Sequence, residues 1–383
     1  MKQVDLWELN KISVNISESF LEEIKQKIKE NKLTKRKLYY LANIDEVSLK
    51  TFSNILKESH LKKYFFPLNI LIKIIKTLEI DIRGLNKNII SYKTSNGSNI
   101  IKKPILPFRK NAITAMLLAH HIGDGTAINI RGRQSYFGYR QFNTTYKNSY
   151  VKKLNSAFGK INFVRGYSKK STRPYCPASC SEALCKLYNV SFQDFLSKTA
   201  RAPKLLLKST KEEQLAFLIG IIIDDGNADS TCITIGLKNQ KLIGDLGIIC
   251  KNLKYKNTIT LNSEGYKKEY GYLYILKEGI ERLYLDYKSL TKKYPIITLD
   301  YKGEQIKRAL SYKNRKIYKT KGNKEIIYEL IKKEVLTVNQ ISKIINMTRQ
   351  GVRYHIHKLE KEKKIELKGT MGENNNIYGI KKC

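Results

Sequence analysis

Apolar and polar positions alternate along this 383-residue chain with two different periods, and the places where the period changes divide it into sections. In SFLEEIKQKIKEN, Phe20, Leu21, Ile24 and Ile28 fall on one face of a helix, and Ser19 with Glu22 has the pattern of a capping box. TKRKLYYLANI and SLKTFSNILK are shorter helical patterns, opened by Thr34 and Ser48 and separated by a turn, the outline of a helix-turn-helix. FPLNILIKIIKTLEID, with Pro67 at a helix start, completes an all-helical region expected over residues 1–85. Residues 86–110, which include SYKTSNGSN and KKPILPFRK, read as a linker.

From 111 to 310, helical patterns alternate with β-type runs such as YFGYRQF, TCITIGL and YGYLYIL, which predicts an α+β fold. SYKNRKIYKTKGNK then marks an exposed linker at 311–323. The section 324–383 opens with KEIIYELIKK. A Thr337 to Gln340 capping box then starts a helix carrying Ile341, Ile344 and Ile345, followed by a turn at Asn346-Met347. The next helix is capped by Thr348. It turns Val352, Ile356 and Leu359 inward and leaves Arg349, Gln350, Arg353 and His357 outside. IELKGTMGENNNIYGI adds two short strands around a Gly/Asn-rich loop. His355 and His357 are two apart on a helix and do not form a metal pair.

Composition sharpens this outline. An apolar content of 42% argues for folded cores, and 72 Lys+Arg against 34 Asp+Glu give a net charge of +38 spread along the whole length. Such a field attracts polyanions, nucleic acid first; a Lys-rich composition without a nucleic-acid role is the plainer alternative. No apolar run is long enough to span a bilayer and no signal core opens the chain, so no membrane is expected and the location expected is cytoplasmic, associated with the nucleoid. Cysteines 176, 180, 185, 232, 250 and 383 lack the paired spacing of a zinc site and are expected to be buried thiols.

Two segments remain unexplained by packing alone. AITAMLLAHHIGDGTAI and EEQLAFLIGIIIDDGNA each run through about ten apolar helical positions and end in Asp-Gly. Gly125 and Gly226 are expected in the left-handed conformation just past the helix ends, which puts Asp124 and Asp225 in the last turns. An unpaired carboxylate there is disfavoured by roughly 0.3–1 kcal/mol, and two packed helices would add mutual repulsion. A hard divalent cation held by carboxylate and main-chain oxygens resolves the conflict. Ala119, Gly123 and Gly220 allow the helices to approach, whereas Asp224 stands where a small residue would be ideal; His120 and His121 are expected as satisfied interface residues.

LLAHHIGDG at 117–125 and LIGIIIDDG at 218–226, with their acids 101 residues apart, resemble the paired motifs of single-chain LAGLIDADG homing endonucleases. The likeness extends through ARAPKLLLKSTKEEQLAFLIG and covers about 200 residues. It implies a pseudo-two-fold saddle of two αββαββα repeats, at about 111–205 and 206–310, with the motif helices on its axis. It also implies a site-specific double-strand DNA endonuclease of intron-homing type, acting as a monomer across the minor groove. Asp124 and Asp225 would bind Mg²⁺, or Mn²⁺ in its place, with Gly123 and Asp224 beside them as metal-site positions. Gln141 and Lys238, at the ends of the strands after each motif, are the candidates to orient water and offset charge. Arg131, Arg133 and Arg140 on the saddle are candidate DNA contacts, as are Arg349, Gln350 and Arg353 at the C-terminal end. The N-terminal pattern resembles the small helical DNA-binding domain of phage repressors, and equally fits a plain bundle; residues 324–383 resemble a winged helix-turn-helix.

The start at Met and the ending GIKKC disfavour an intein. Two other readings stay open. Some bacterial transcription regulators resemble a LAGLIDADG fold joined to a helix-turn-helix and have no nuclease activity, although both Asp124 and Asp225 are more than a binding scaffold requires. An intron-RNA maturase would use the same saddle on structured RNA.

Overall fold

The computed structural model describes residues 2–56, 65–128, 135–163, 174–195, 199–229, 231–261, 269–311, 322–345, 347–370 and 376–380. Two compact units divide the chain, Met1–Leu310 and Ser311–Cys383. Helix and sheet are mixed throughout, as the alternating periods predict.

The first unit opens with β1 (Gln3–Val4), β2 (Ile12–Ile16), α1 (Glu18–Glu30), α2 (Lys35–Leu41), α3 (Leu49–Ile55), β3 (Phe66–Pro67) and α4 (Leu68–Thr77). β4 (Ile89–Thr94), β5 (Ile100–Lys102) and β6 (Phe108–Arg109) follow. Next come α5 (Ala112–Ile122), β7 (Gly125–Ile128), β8 (Tyr136–Tyr139), α6 (Thr144–Phe158), β9 (Lys160–Asn162) and α7 (Ala178–Tyr188). The remainder is α8 (Lys211–Asp225), β10 (Gly226–Ala228), β11 (Cys232–Leu237), α9 (Gln240–Asn252), β12 (Asn257–Thr260), β13 (Gly271–Leu276), α10 (Lys277–Lys293) and α11 (Lys302–Ser311).

Two expectations are corrected here. Residues 1–85 are not all helical, and 86–110 are not a linker: β2, β3, β4 and β5 join β9 in one antiparallel sheet of order β3-β2-β4-β5-β9. In β4 Ile89, Ser91, Tyr92 and Thr94 are buried, from both faces of the strand, so a stretch that looks polar in sequence is largely core. The cap of α1 is Ser17, which accepts from Phe20 N–H, because Ser19 already lies inside the helix. Thr34 and Ser48 cap α2 and α3 as expected, and the Tyr39 hydroxyl ties the pair by donating to Val47 O at 2.8 Å.

Between residues 211 and 293 the element order is αββαββα, with a four-stranded antiparallel sheet of order β10-β11-β13-β12. Between 112 and 188 the pairing differs. There β7 and β8 form a two-stranded sheet extended by a single bridge from Gly138 to Tyr175, while β9 pairs with β5. Helices α5 and α8 are apolar on all sides and buried over most of their length, and they pack directly on each other at the centre of the unit. A Cβ on Gly220 would stand 2.6 Å from Ala119 Cβ, so the axes approach to a separation that only glycine permits.

The second unit comprises α12 (Asn323–Lys333), β14 (Leu336–Thr337), α13 (Val338–Ile344), α14 (Arg349–Lys361), β15 (Ile365–Thr370) and β16 (Asn376–Ile380). Its sheet has the order β14-β16-β15, and Ile327, Ile331, Ile341, Val352, Ile356 and Leu359 are among the side chains of its own core. Thr337 and Gln340 form the expected capping box, and Thr348 caps α14. Among the described residues no helix is long and apolar enough to cross a membrane.

Candidate active site at the paired helix ends

Helix α5 starts at Asn111, whose side chain accepts from Ile113 and Thr114 N–H; α8 starts at Thr210, which accepts from Glu213 N–H. Both helices run to the same end of their shared interface and pass straight into strands β7 and β10. Gly125 and Gly226 mark these junctions without the expected left-handed backbone: Gly226 has φ −80° and ψ 151°, and neither glycine has a positive φ. Glycine is needed there for a different reason. A Cβ at 125 would lie 2.2 Å from His121 O, and one at 226 would lie 2.6 Å from Ile222 O, one turn back in each helix.

The geometry brings Asp124, Asp224 and Asp225 close enough for their charges to act on one another. Burial, and then the Asp224 carboxylate, holds Asp124 at about 6. Burial followed by Asp224 and Asp124 raises Asp225 to about 7. Asp224 is held highest, at about 8, because its side chain has no exposure to solvent. Three cations offset the cluster: Arg140 acts on Asp124, Lys302 acts on both Asp124 and Asp225, and Lys153 acts on Asp224. Lys302 is itself buried at the start of α11, where its ammonium donates to Gly226 O. Beside it, the Tyr301 hydroxyl donates to Ile223 O at 3.0 Å.

Asp224, the residue out of place in the sequence, faces inward. Its Oδ1 accepts from the Tyr139 hydroxyl at 2.7 Å, and His120 Nδ1 lies 3.1 Å from Oδ2. Lys153 Nζ stands 3.5 Å from His120 Nε2, so the ring proton belongs on Nδ1 and is donated to Asp224. Burial holds His120 well below the usual histidine range, which keeps this ring neutral. Space for the carboxylate comes from Gly123, where a Cβ would be 2.7 Å from Asp224 Oδ2. The Asp124 N–H also points to Oδ2, at 3.5 Å, and so links the end of one motif helix to the side chain of the other. His121 packs flat on Phe137 at 4.3 Å between centroids and shares a 2.7 Å hydrogen bond with the Tyr150 hydroxyl.

Other candidates fall further out. Gln141, just after β8, places its amide at the Tyr139 hydroxyl and accepts from Asn143 N–H. Lys238, just after β11, is exposed, paired with Glu269 at 2.9 Å and set over the Tyr270 ring; the lysine at the carboxylates is Lys302 instead. Arg140 donates its N–H to Asp124 O at 3.0 Å and places its guanidinium 5.1 Å from the Phe142 ring centre. Arg131 and Arg133 lie outside the described residues. Arg349, Gln350 and Arg353 are exposed on α14; Gln350 and Arg353 border a groove of about 530 Å³ together with Tyr354, His357, Asn376 and Tyr378. Cys176, Cys180, Cys185 and Cys250 are buried thiols and Cys232 is partly buried.

No cluster of three or more His, Cys, Asp or Glu side chains is arranged to hold a metal among the described residues, since Asp224 is committed inward. Two hard carboxylates remain, Asp124 and Asp225, at neighbouring ends of the two packed helices. Such a donor set suits Mg²⁺, which commonly takes one or two carboxylates and completes its shell with water and substrate phosphate.

No protein-family model matches the chain, and no curated protein matches it. Among solved structures, the chain is similar to the homing endonuclease I-DmoI in complex with DNA and Mn, with 19% identity and a TM-score of 0.33 over 45% of this chain and 94% of that one. It is also similar to the homing endonuclease I-WcaI bound to its DNA recognition sequence, with 15% identity and a TM-score of 0.34 over 51% of this chain and 87% of that one. Full-length DUF199/WhiA from Thermatoga maritima matches at 12% identity and a TM-score of 0.32, over 66% of this chain and 90% of that one.

Proposed function

We propose that this chain is a divalent-metal-dependent DNA endonuclease of the LAGLIDADG homing type. The observation that carries the reading is the pair Asp124 and Asp225, held together at the ends of two closely packed helices against the preference of both carboxylates to be apart or neutral. Retaining that repulsion makes chemical sense if the pair is completed by a cation and a phosphate. Asp124 and Asp225 would hold Mg²⁺ or Mn²⁺; when bound, such an ion supplies a more acidic water and charge stabilisation at the phosphorus.

The chain's own residues do the rest. Gly220 against Ala119 and the Asp224 bonds to His120 and Tyr139 fix the separation and register of the two acids. Lys302, buried and held by Gly226 O, sits where it offsets negative charge developing on a phosphate between the acids. Arg140 stands at the Asp124 side as a phosphate contact. In the second unit, α13 and α14 with the β15-β16 pair have the layout of a winged helix-turn-helix. Arg349, Gln350 and Arg353 form the exposed side of the helix that would enter the major groove.

The test is cleavage of a randomised duplex library in Mg²⁺ or Mn²⁺, with the Asp124→Asn/Asp225→Asn double variant as control and sequencing of new ends. A specific cut lost in the variant supports the nuclease. Specific retention without cutting, unchanged in the variant, would establish a DNA-binding regulator, and preferential retention of structured RNA would establish a maturase.

A further inference from the structure

All twelve phenylalanines lie within the described residues, and eleven are buried or half-buried; Phe142 alone is exposed, at 67%. Its position is as unusual as its exposure. It stands two residues after Arg140, whose backbone N–H is bonded to Asp124 O at 3.0 Å, so Phe142 lies roughly 7 Å along the backbone from a residue tied to Asp124. The residues on either side of it are hydrogen-bonded to one another. Asn143 N–H donates to Gln141 Oε1 at 3.3 Å, and the Asn143 side chain accepts from Thr145 N–H at 2.8 Å to cap α6. The Arg140 guanidinium lies over the ring, 5.1 Å from its centre, and covers one face with positive charge.

Single exposed apolar side chains are ordinary at a protein surface, but this one carries a guanidinium over its ring beside a charged site, so a partner that brings apolar surface and negative charge together would match both. Protein chemistry offers few apolar partners that arrive together with phosphates, and a base-pair step is one: side chains such as Phe enter between stacked bases from the minor groove and kink the duplex. The Arg140 cation on the ring and the net charge of +38 match the phosphates that flank such a step. We propose that Phe142 is a wedge that enters duplex DNA beside the scissile phosphates and partly unstacks one base step, while Arg140 spans from the ring to the adjoining phosphate. The inference rests on the reading above that the Asp124/Asp225 end of the unit meets the minor groove. It assigns a specificity element as well: a wedge favours steps that unstack easily, so pyrimidine–purine steps should recur at one fixed distance from the cut.

The experiment begins with the full chain in EDTA, retaining duplexes from a randomised library. The retained sequence is then resynthesised with 2-aminopurine at successive positions, whose fluorescence rises on unstacking. The expected result is a several-fold rise confined to one step, abolished in Phe142→Ala and kept in Phe142→Leu. In Mg²⁺, Phe142→Ala should cleave the matched duplex at least tenfold more slowly, and a mismatch at that step should restore most of the rate. Fluorescence unchanged at every position, or a rise that persists in Phe142→Ala, overturns the proposal, as it would if the ring docks on a protein instead. Retention without cutting in Mg²⁺ refutes the nuclease but leaves the fluorescence comparison intact; no retention of any duplex overturns both.

Discussion

Asp225→Asn should make the metal-free protein more stable, and increasingly so as pH rises from about 4 to about 8. Asp225 ionises at about 7 in the folded chain against an ordinary value of 3.8. A carboxyl raised in the folded state contributes stability below its unfolded value, and that contribution is lost as pH rises through the folded one. The wild type should therefore lose stability between about pH 4 and pH 8 as the acid is forced to ionise beside Asp224 and Asp124. A displacement of about three pH units, at 1.36 kcal/mol each, sets a ceiling of about 4 kcal/mol. Water reaching the helix ends and local relaxation reduce it, so the gain expected for Asp225→Asn at pH 8 is about 1–3 kcal/mol. Denaturant unfolding of both proteins in EDTA at pH 5 and pH 8 reads this difference directly. Adding Mg²⁺ at pH 8 should stabilise the wild type and leave Asp225→Asn nearly unchanged. Equal stability of the two proteins at pH 8, or the same gain at both pH values, would refute the account of Asp225 as an acid that burial, and then its acidic neighbours, keep from ionising until a cation arrives.

Three further outcomes are expected. Gly220→Ala should cost about 1–3 kcal/mol, because its Cβ would stand 2.6 Å from Ala119 Cβ, and Ala119→Gly in the same chain should recover most of the loss; additive unfolding energies would contradict the direct contact. Lys302→Met should slow cleavage roughly 100-fold with retention of DNA little altered, and an unchanged single-turnover rate would remove Lys302 from the chemistry. Arg349→Ala with Arg353→Ala should weaken duplex binding and lower the slope of log affinity against log salt by about one for each lost phosphate contact, whereas an unchanged slope would place α14 away from DNA.

The motif helices were legible because their chemistry is local: an all-round apolar helix closed by Asp-Gly is visible in a nine-residue window, and so are the caps at Thr34, Ser48, Thr337 and Thr348. Asp224 was legible as an anomaly but not as a solution, since its partners Tyr139, His120 and Gly123 come from the other half of the chain. Lys302 carried no signal among 72 basic residues; only its burial and its bond to Gly226 O distinguish it. Gly125 and Gly226 have the sequence pattern of left-handed caps, since the usual reason for glycine after a helix is a positive φ, whereas here the chain runs on into strands. Strands β4 and β5 pair with each other, but their outer partners β2 and β9 are far away in sequence, and the Ser/Asn/Gly turn between them imitates a linker.

The sheet β3-β2-β4-β5-β9 has a consequence for how such a chain can be cut and recombined. Strand β9 belongs by sequence to the segment that begins with the first motif, yet its backbone partner is β5. A graft that joins a foreign N-terminal module at residues 86–110 would strip β9 of its neighbour and leave an open strand edge, a template for aggregation. Within the first unit the seam for exchanging parts is therefore not where the polar composition suggests. The N-terminal segment and the first motif segment have to be moved together, as one piece of cloth.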